Sequence, residues 1–132
     1  MAAVAQPLTV QAIAPAAAAR ALAGMHRLDP RGVMDEADVQ DLAERGQCFE
    51  LGGAADAVYV VNVRNGVAWI DALKGTGPDL VAVVTELLEH QAEGCQALAF
   101  QTARPGLVRQ AARHGWKVAG WIMRKELPCP AS

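Results

Sequence analysis

The fold is decided by the stretch Val67-Ala-Trp-Ile-Asp-Ala-Leu-Lys-Gly-Thr-Gly-Pro-Asp79. Its apolar first half predicts a strand, residues 67–73, and a helix is predicted directly behind Gly77. Glycine has no Cβ, so Gly75 and Gly77 leave the backbone N–H groups of a turn accessible, and Pro78 suits the first turn of a helix. Free N–H groups at a helix start predict an anion site for a phosphate or pyrophosphate. The alternative interpretation is a tight turn with a helix cap.

Two well-known phosphate loops do not fit this stretch. The dinucleotide fingerprint requires a third glycine where the chain has Leu80. The P-loop ends in Gly-Lys-Ser/Thr, whereas Lys74 precedes the glycine here.

Size and composition predict a single globular domain, residues 1–132, with 52% apolar residues. A net charge of −2 gives no reason to expect nucleic acid as a partner. Cys48, Cys95 and Cys129 are too far apart to predict a metal site or a disulfide framework. No apolar run approaches the length of a membrane span, and the alanine-rich start lacks the basic region of a signal peptide. We therefore expect a cytoplasmic protein without a membrane partner.

The pattern along the chain predicts an α/β fold, with a mixed sheet flanked by helices in the order β-α-α-β-β-β-α-β-α-β. Helices are predicted at residues 15–25, 35–45, 78–92 and 105–114, and strands at residues 8–13, 48–51, 57–63, 67–73, 96–101 and 117–127. Asn65-Gly66 predicts a hairpin, because both residues tolerate positive φ. We expect the strands ending at Leu73 and Gln101 to be parallel neighbours that diverge beyond Ala72.

This order resembles the fold of the GNAT-type N-acetyltransferases, best from Val58 to Leu127. The resemblance is carried by the glycine turn, by the Glu93-Gly94-Cys95 step, and by Gly115-Trp116, which is similar to the family's Gly-Phe step. The stretch Ala103–Gly106, together with Gly115-Trp116, is also similar to small GNAT-like proteins of phage and prophage gene clusters.

The resemblance implies acetyl-CoA as co-substrate. In this family two strands splay apart, the pantetheine arm lies in the gap, and the pyrophosphate sits on the glycine turn. The first four of the matching positions would face pantetheine and the last four would hold pyrophosphate: Ile70, Asp71, Ala72, Leu73, Lys74, Gly75, Thr76 and Gly77. The chain departs from the family at Ala72, where the phosphate motif begins with Arg or Gln, and at Ala111, where a tyrosine commonly protonates the thiolate. The terminal hairpin is also reduced to one strand.

Acyl transfer to an amine needs a base for the ammonium proton and an acid for the coenzyme thiolate. Asp71 is the best-placed candidate base, and Glu50 on the neighbouring strand is the second. A surface acid on an alternating strand is the alternative interpretation of Asp71. His114 could serve as the acid, although the helix dipole also explains a histidine in a last helical turn.

These observations predict an acyl-CoA-dependent N-acyltransferase acting on an amine of a small molecule or protein. The alternative is a degenerate GNAT-like phage or prophage protein that acts by binding alone, and a third interpretation is an unrelated α/β binding module. Exposed terminal strands would favour a homodimer through edge pairing.

Overall fold

The computed structural model describes residues 8–32, 34–53, 55–77 and 79–128. Its strands are β1 (Thr9–Ala12), β2 (Gln47–Gly52), β3 (Asp56–Arg64), β4 (Val67–Thr76) and β5 (Ala97–Ala99). Its helices are α1 (Pro15–Ala21), α2 (Glu36–Arg45), α3 (Leu80–Gln91) and α4 (Pro105–Ala112), with a 3-10 helix at Met25–Leu28. The predicted element order is confirmed as far as α4.

The five strands form one mixed sheet in the order β1-β2-β3-β4-β5. All neighbours are antiparallel except β4 and β5, which are parallel. Asn65 and Gly66 connect β3 to β4 with φ angles of 53° and 77°, so the predicted hairpin is confirmed. The α/β fold class is therefore confirmed, with the parallel pair created by the α3 crossover.

Helix α2 begins where its acids predict. Asp35 is the N-cap, and its carboxylate accepts from the Asp38 backbone N–H at 2.9 Å. In return the Asp38 carboxylate accepts from the Asp35 backbone N–H at 2.8 Å. This reciprocal box satisfies two donors that would otherwise lack partners, and both acids lie at the positive end of the helix dipole. No helix in the described ranges combines the length and apolar character that crossing a bilayer requires.

The core lies on both faces of the sheet. On the face covered by α1 and α2, the buried cluster consists of Ala18, Leu22, Val39, Ala43, Cys48, Val60 and Ala72. On the face covered by α3, it consists of Leu51, Ala55, Ala57, Tyr59, Val84 and Leu88. The fully buried Tyr59 donates a hydrogen bond from its hydroxyl to Gln91 Oε1 at 2.7 Å, which ties the centre of the sheet to the end of α3. Packed side chains therefore cover β3 and β4 on both faces of the sheet.

Residues 117–128, here called the C-terminal arm, contain no strand. The prediction of a terminal strand from Lys117 to Leu127 is therefore wrong. Apolar side chains in the arm favour a strand, but a strand also needs a partner, and β5 offers only three residues for pairing. Trp121 is 88% exposed, and the Arg124 guanidinium donates from Nη1 to the Arg31 carbonyl oxygen at 3.0 Å.

Candidate functional site

Strands β4 and β5 pair over a short distance and then separate. Their register runs from Val67 opposite Ala97 to Trp69 opposite Ala99. Strand β4 continues to Thr76, so from Ile70 onward no described residue pairs with it on the β5 side. The predicted divergence of two parallel strands is confirmed, and it begins slightly before the predicted position at Ala72.

A cavity of about 1150 Å³ occupies this opening. On one face of the sheet it is lined by residues of α3, and on the other by residues of α2 and the 3-10 helix. The cavity therefore reaches through the gap from one face to the other. Every residue predicted to contact a cofactor lies on its wall: Ile70, Asp71, Ala72, Leu73, Lys74, Gly75, Thr76 and Gly77.

Strand β4 is interrupted by a bulge at the centre of this wall. Val61 pairs with Ile70 and Val60 with Ala72, which leaves Asp71 as the extra residue without a counterpart in the register. A bulge bends the strand locally and changes the direction of its side chains. The bulge therefore places the Asp71 side chain on the cavity wall, beside residues of β3.

The Asp71 carboxylate accepts hydrogen bonds from three donors. Both terminal nitrogens of Arg64 donate to it at 2.9 Å, and Asn62 Nδ2 donates at 2.6 Å. The Arg64 guanidinium also lies 5.1 Å from the ring centroid of Trp69. The hydrogen bond to Asp71 raises the pKa of Arg64. With these donors in place, the carboxylate oxygens of Asp71 are occupied, and the side chain is only 10% exposed.

Glu50 lies apart from this group. It is an exposed residue of β2 opposite Val58, and it is not among the residues that line the cavity. Strand β3 separates it from β4. The structure therefore does not bring the two predicted carboxylates together.

The glycine turn is shorter than predicted, because Gly75 and Thr76 belong to β4. Gly75 pairs with Ala57, and a Cβ atom on Gly75 would lie 2.7 Å from both Ala57 Cβ and the Asp56 carbonyl oxygen. Close approach of two strands, rather than a turn, requires glycine here.

The connection to α3 is left to Gly77, with φ 131°, and Asp79, with φ 58°. Asp79 is the N-cap of α3, and its side chain makes no capping hydrogen bond. Backbone N–H groups at the start of α3 therefore remain available to an anion. The interpretation of Pro78 as a first-turn residue concerns a position outside the described residues.

Three cations line the cavity without an ion pair in the described part of the chain: Lys74, Arg104 and Arg113. Sequence reasoning identified Lys74 but missed the two arginines. They flank α4 at its N-cap and C-cap, and the packing of α4 beside α3 brings them to the cavity. The sequence did contain a signal for these two arginines: the β-α-β-α order predicts that α3 and α4 are neighbours, so residues at the ends of α4 are candidates for the cavity wall.

Trp116 connects three elements at the α3 side of the cavity. Its indole Nε1 donates to Thr85 Oγ1 at 2.9 Å, and its ring meets Phe100 edge-on with centroids 4.8 Å apart. Ala111 is buried; it occupies the position at which the GNAT-type family commonly has a tyrosine. His114 lies on the cavity wall nearby. Among the described residues, no group of His, Cys, Asp and Glu is arranged to hold a metal ion.

No family model and no curated protein matches this sequence. Solved structures do match. An IAA acetyltransferase from Bacillus cereus superposes with a TM-score of 0.59 at 17% identity, covering 86% of this chain and 79% of that chain. A ribosomal-protein-alanine N-acetyltransferase from Brucella melitensis superposes with a TM-score of 0.55 at 11% identity, covering 92% and 99%.

A third match is AAC(6')-Iy in complex with a bisubstrate analog, CoA-S-monomethyl-acetylneamine, with a TM-score of 0.52 at 13% identity, covering 93% of this chain and 99% of that chain. All three proteins are acetyltransferases, and the shared architecture includes nearly the whole of the chain. At these identities the likeness concerns architecture. The chain has the fold of the GNAT-type N-acetyltransferases.

Proposed function

We propose that this protein is an acyl-CoA-dependent N-acyltransferase that uses acetyl-CoA. One observation carries the proposal: the edge of β4 beyond Trp69 is unpaired and faces a cavity that reaches both faces of the sheet. The match to an acetyltransferase solved with a coenzyme A conjugate supports it. A second substrate then has its own approach, from the face covered by α1 and α2.

The pantetheine arm suits the open edge of β4. Pantetheine contains two amide groups, and an unpaired strand edge presents backbone N–H and C=O groups that amides can bind as an added strand would. Ile70, Ala72 and Leu73 line the cavity along this part of β4. In the proposal they contact pantetheine.

The phosphates suit the far end of the cavity. Gly77 and the uncapped start of α3 provide backbone N–H groups there, and the cavity wall as a whole carries positive charge from Lys74, Arg104 and Arg113. In the proposal, Gly75 and Thr76 contribute the end of the wall on which the pyrophosphate rests.

In the transfer step the amine nitrogen forms a bond to the acetyl carbonyl carbon, and the carbon–sulfur bond breaks. The nitrogen loses a proton to water in the open cavity, and the coenzyme leaves as a thiolate that takes a proton from His114 or solvent. The three donors on Asp71 favour a positioning role, in which it holds the bulge beside the reacting atoms. Glu50 has no part in this proposal, because it lies outside the cavity.

We further propose that two copies associate through the outer edge of β5. Within the described residues this edge has no partner, and the C-terminal arm exposes large apolar side chains, including Trp121 and Met123. Sedimentation at several concentrations tests this. A monomer at all of them would contradict it.

Calorimetric titration with acetyl-CoA tests the main proposal, combined with thioester absorbance over a panel of amines. Gly77→Ala should weaken acetyl-CoA binding about tenfold or more, because a Cβ disfavours the φ of 131° and turns the backbone N–H groups away from the phosphates. Each charge-assisted hydrogen bond lost in this way is worth roughly 1.5–3 kcal/mol. Gly94→Ala is the matched control: Gly94 also has a positive φ, 94°, with open space around it, and does not line the cavity.

The two variants and the unaltered protein together distinguish four outcomes. Weakened binding in Gly77→Ala alone supports the proposal. Equal affinity in both variants would show that the start of α3 does not hold the phosphates. An absence of both binding and transfer in the unaltered protein would overturn the proposal, whereas binding without transfer would indicate a non-catalytic relative.

A further inference from the structure

The cavity wall on the α2 side is apolar and in contact with water. Its apolar side chains come from the 3-10 helix, the segment that follows it, α2 and β4: Met25, Leu28, Met34, Leu42 and Trp69. Leu28 is 49% exposed, and the others are half-buried. Apolar surface left wet inside a concave site is typical of a site for an apolar ligand. The two methionines also let such a wall adapt to ligands of different shape.

The carboxylates on this side of the cavity are already engaged. Asp71 is held by Arg64 and Asn62, as described above. The Asp29 side chain is 2% exposed, accepts from Arg31 Nε at 3.3 Å, and accepts from the Met34 backbone N–H at 3.0 Å. Neither carboxylate is therefore open to a cationic ligand.

The charges on the same side are unfavourable for a polycation. Three guanidinium groups, those of Arg31, Arg45 and Arg64, line it together with the two engaged carboxylates. Each guanidinium is paired with a carboxylate: Arg31 with Asp29, Arg64 with Asp71, and Arg45 with Asp41, which does not line the cavity. A ligand with several ammonium groups would therefore meet three guanidinium groups and, on the described part of this wall, no carboxylate without a guanidinium partner, whereas a single amine on an apolar body would need far less compensation.

From this wall and this charge balance we infer the acceptor class: a small primary monoamine on an alkyl or aryl body, bound against Leu28, Met34 and Trp69. This inference rests on the proposed acyl transfer and specifies its second substrate. The amino group would reach β4 near the bulge at Asp71, where the strand edge opens. The apolar body would remain on the α2 side.

Two amines of contrasting type test the inference: phenethylamine and spermidine. Phenethylamine should give a kcat/KM at least tenfold higher than spermidine. Binding is also measured without turnover, from the change in tryptophan fluorescence and from chemical-shift titration. A preference for spermidine in either measurement, or binding of neither amine, would overturn the inference.

Substitutions in the wall provide the second test. Leu28→Asp should raise the KM for phenethylamine at least fivefold and lower the ratio of kcat/KM for phenethylamine to kcat/KM for spermidine. Leu28→Met should restore both values. Val63→Asp is the matched control, since Val63 is 62% exposed on β3 and does not line the cavity. An unchanged preference in Leu28→Asp would contradict the inference.

Calorimetry with acetyl-CoA separates the two proposals. If all of these variants bind acetyl-CoA normally and the amine preference is absent, the acceptor class is wrong and the transferase proposal stands. If the unaltered protein does not bind acetyl-CoA, the transferase proposal fails. The binding of phenethylamine and spermidine, measured without turnover, then tests the ligand class of the apolar wall by itself.

Discussion

Arg64 and Asp71 face each other across β3 and β4 in a two-pronged ion pair, with Nη1–Oδ2 and Nη2–Oδ1 distances of 2.9 Å. The pair lies at the bulge, where Asp71 has no backbone counterpart on β3. A planar guanidinium that matches both carboxylate oxygens fixes direction as well as distance. The pair therefore sets the orientation of the bulge at the point where β4 leaves β5.

Replacing Arg64 should destabilise the fold. Arg64→Ala leaves the largely buried Asp71 carboxylate without its main partner, and we expect a loss of about 1–2 kcal/mol in the free energy of unfolding. Urea denaturation measures it. Arg45→Ala is the control, because it removes an exposed pair with Asp41 one helical turn away and should cost about 0.5 kcal/mol or less. Equal losses in the free energy of unfolding in both variants would show that the Arg64–Asp71 pair contributes no more than an exposed ion pair.

Gly75→Ala should also destabilise the protein. The added methyl group would overlap Ala57 Cβ and the Asp56 carbonyl oxygen, and both strands would have to shift. Overpacking of this kind typically costs about 1–3 kcal/mol. Thermal unfolding of Gly75→Ala and of Gly120→Ala, whose added methyl group would meet nothing within 4 Å, measures the difference. If Gly75→Ala leaves the unfolding temperature unchanged, β3 and β4 are less closely spaced at this point than described.

The stability should fall at alkaline pH because of Tyr59. Burial raises the pKa of Tyr59 above its ordinary value of 10.0. A raised folded-state pKa means that the folded protein holds the phenol proton more tightly than the unfolded chain does. The resulting stabilisation is fully present below about pH 10 and is lost as the pH rises through the folded-state pKa.

Chemical denaturation between pH 8 and pH 11 checks this dependence. Tyr59→Phe should be less stable at pH 8, because Gln91 loses its hydrogen bond, but its stability should fall less steeply above pH 10. Burial also raises the pKa of Cys48, so a residual alkaline slope is expected. An identical slope in Tyr59→Phe would assign the effect to other groups.

Trp116→Phe should loosen the α3 side of the cavity. The substitution keeps an aromatic ring against Phe100 but removes the hydrogen bond to Thr85, and we expect a loss of about 1 kcal/mol. Trp121→Phe changes a side chain that is 88% exposed and should leave stability within about 0.5 kcal/mol. Near-ultraviolet circular dichroism and urea unfolding compare the two, and the reverse ranking would contradict the assignment.

Local chemistry made much of the fold predictable. Asn65-Gly66 and Asp35 act through backbone conformation and nearby N–H groups, so their roles can be recognised from a few residues. The parallel arrangement of β4 and β5 followed from a helix between two apolar strands. The order of strands and helices along the chain also predicted the opening between β4 and β5.

Tertiary relationships account for what could not be predicted. Gly75 was expected in a turn because its neighbours are turn formers, and only the approach of Ala57 shows why glycine is required within the strand. The bulge at Asp71 depends on its register with β3, and the engagement of its carboxylate depends on Arg64 and Asn62. The C-terminal arm has the composition of a strand, but no strand among the described residues pairs with it.

The passage of the cavity through the sheet has a kinetic consequence. Two molecules that approach from opposite faces can be resident together, and neither has to leave before the other arrives. For the proposed acyl transfer, such an arrangement favours direct transfer within a ternary complex, with intersecting lines in double-reciprocal plots, over a ping-pong sequence through an acylated side chain. The order of arrival would then be set by the concentration and the association rate constant of each molecule, because each route is open independently of the other.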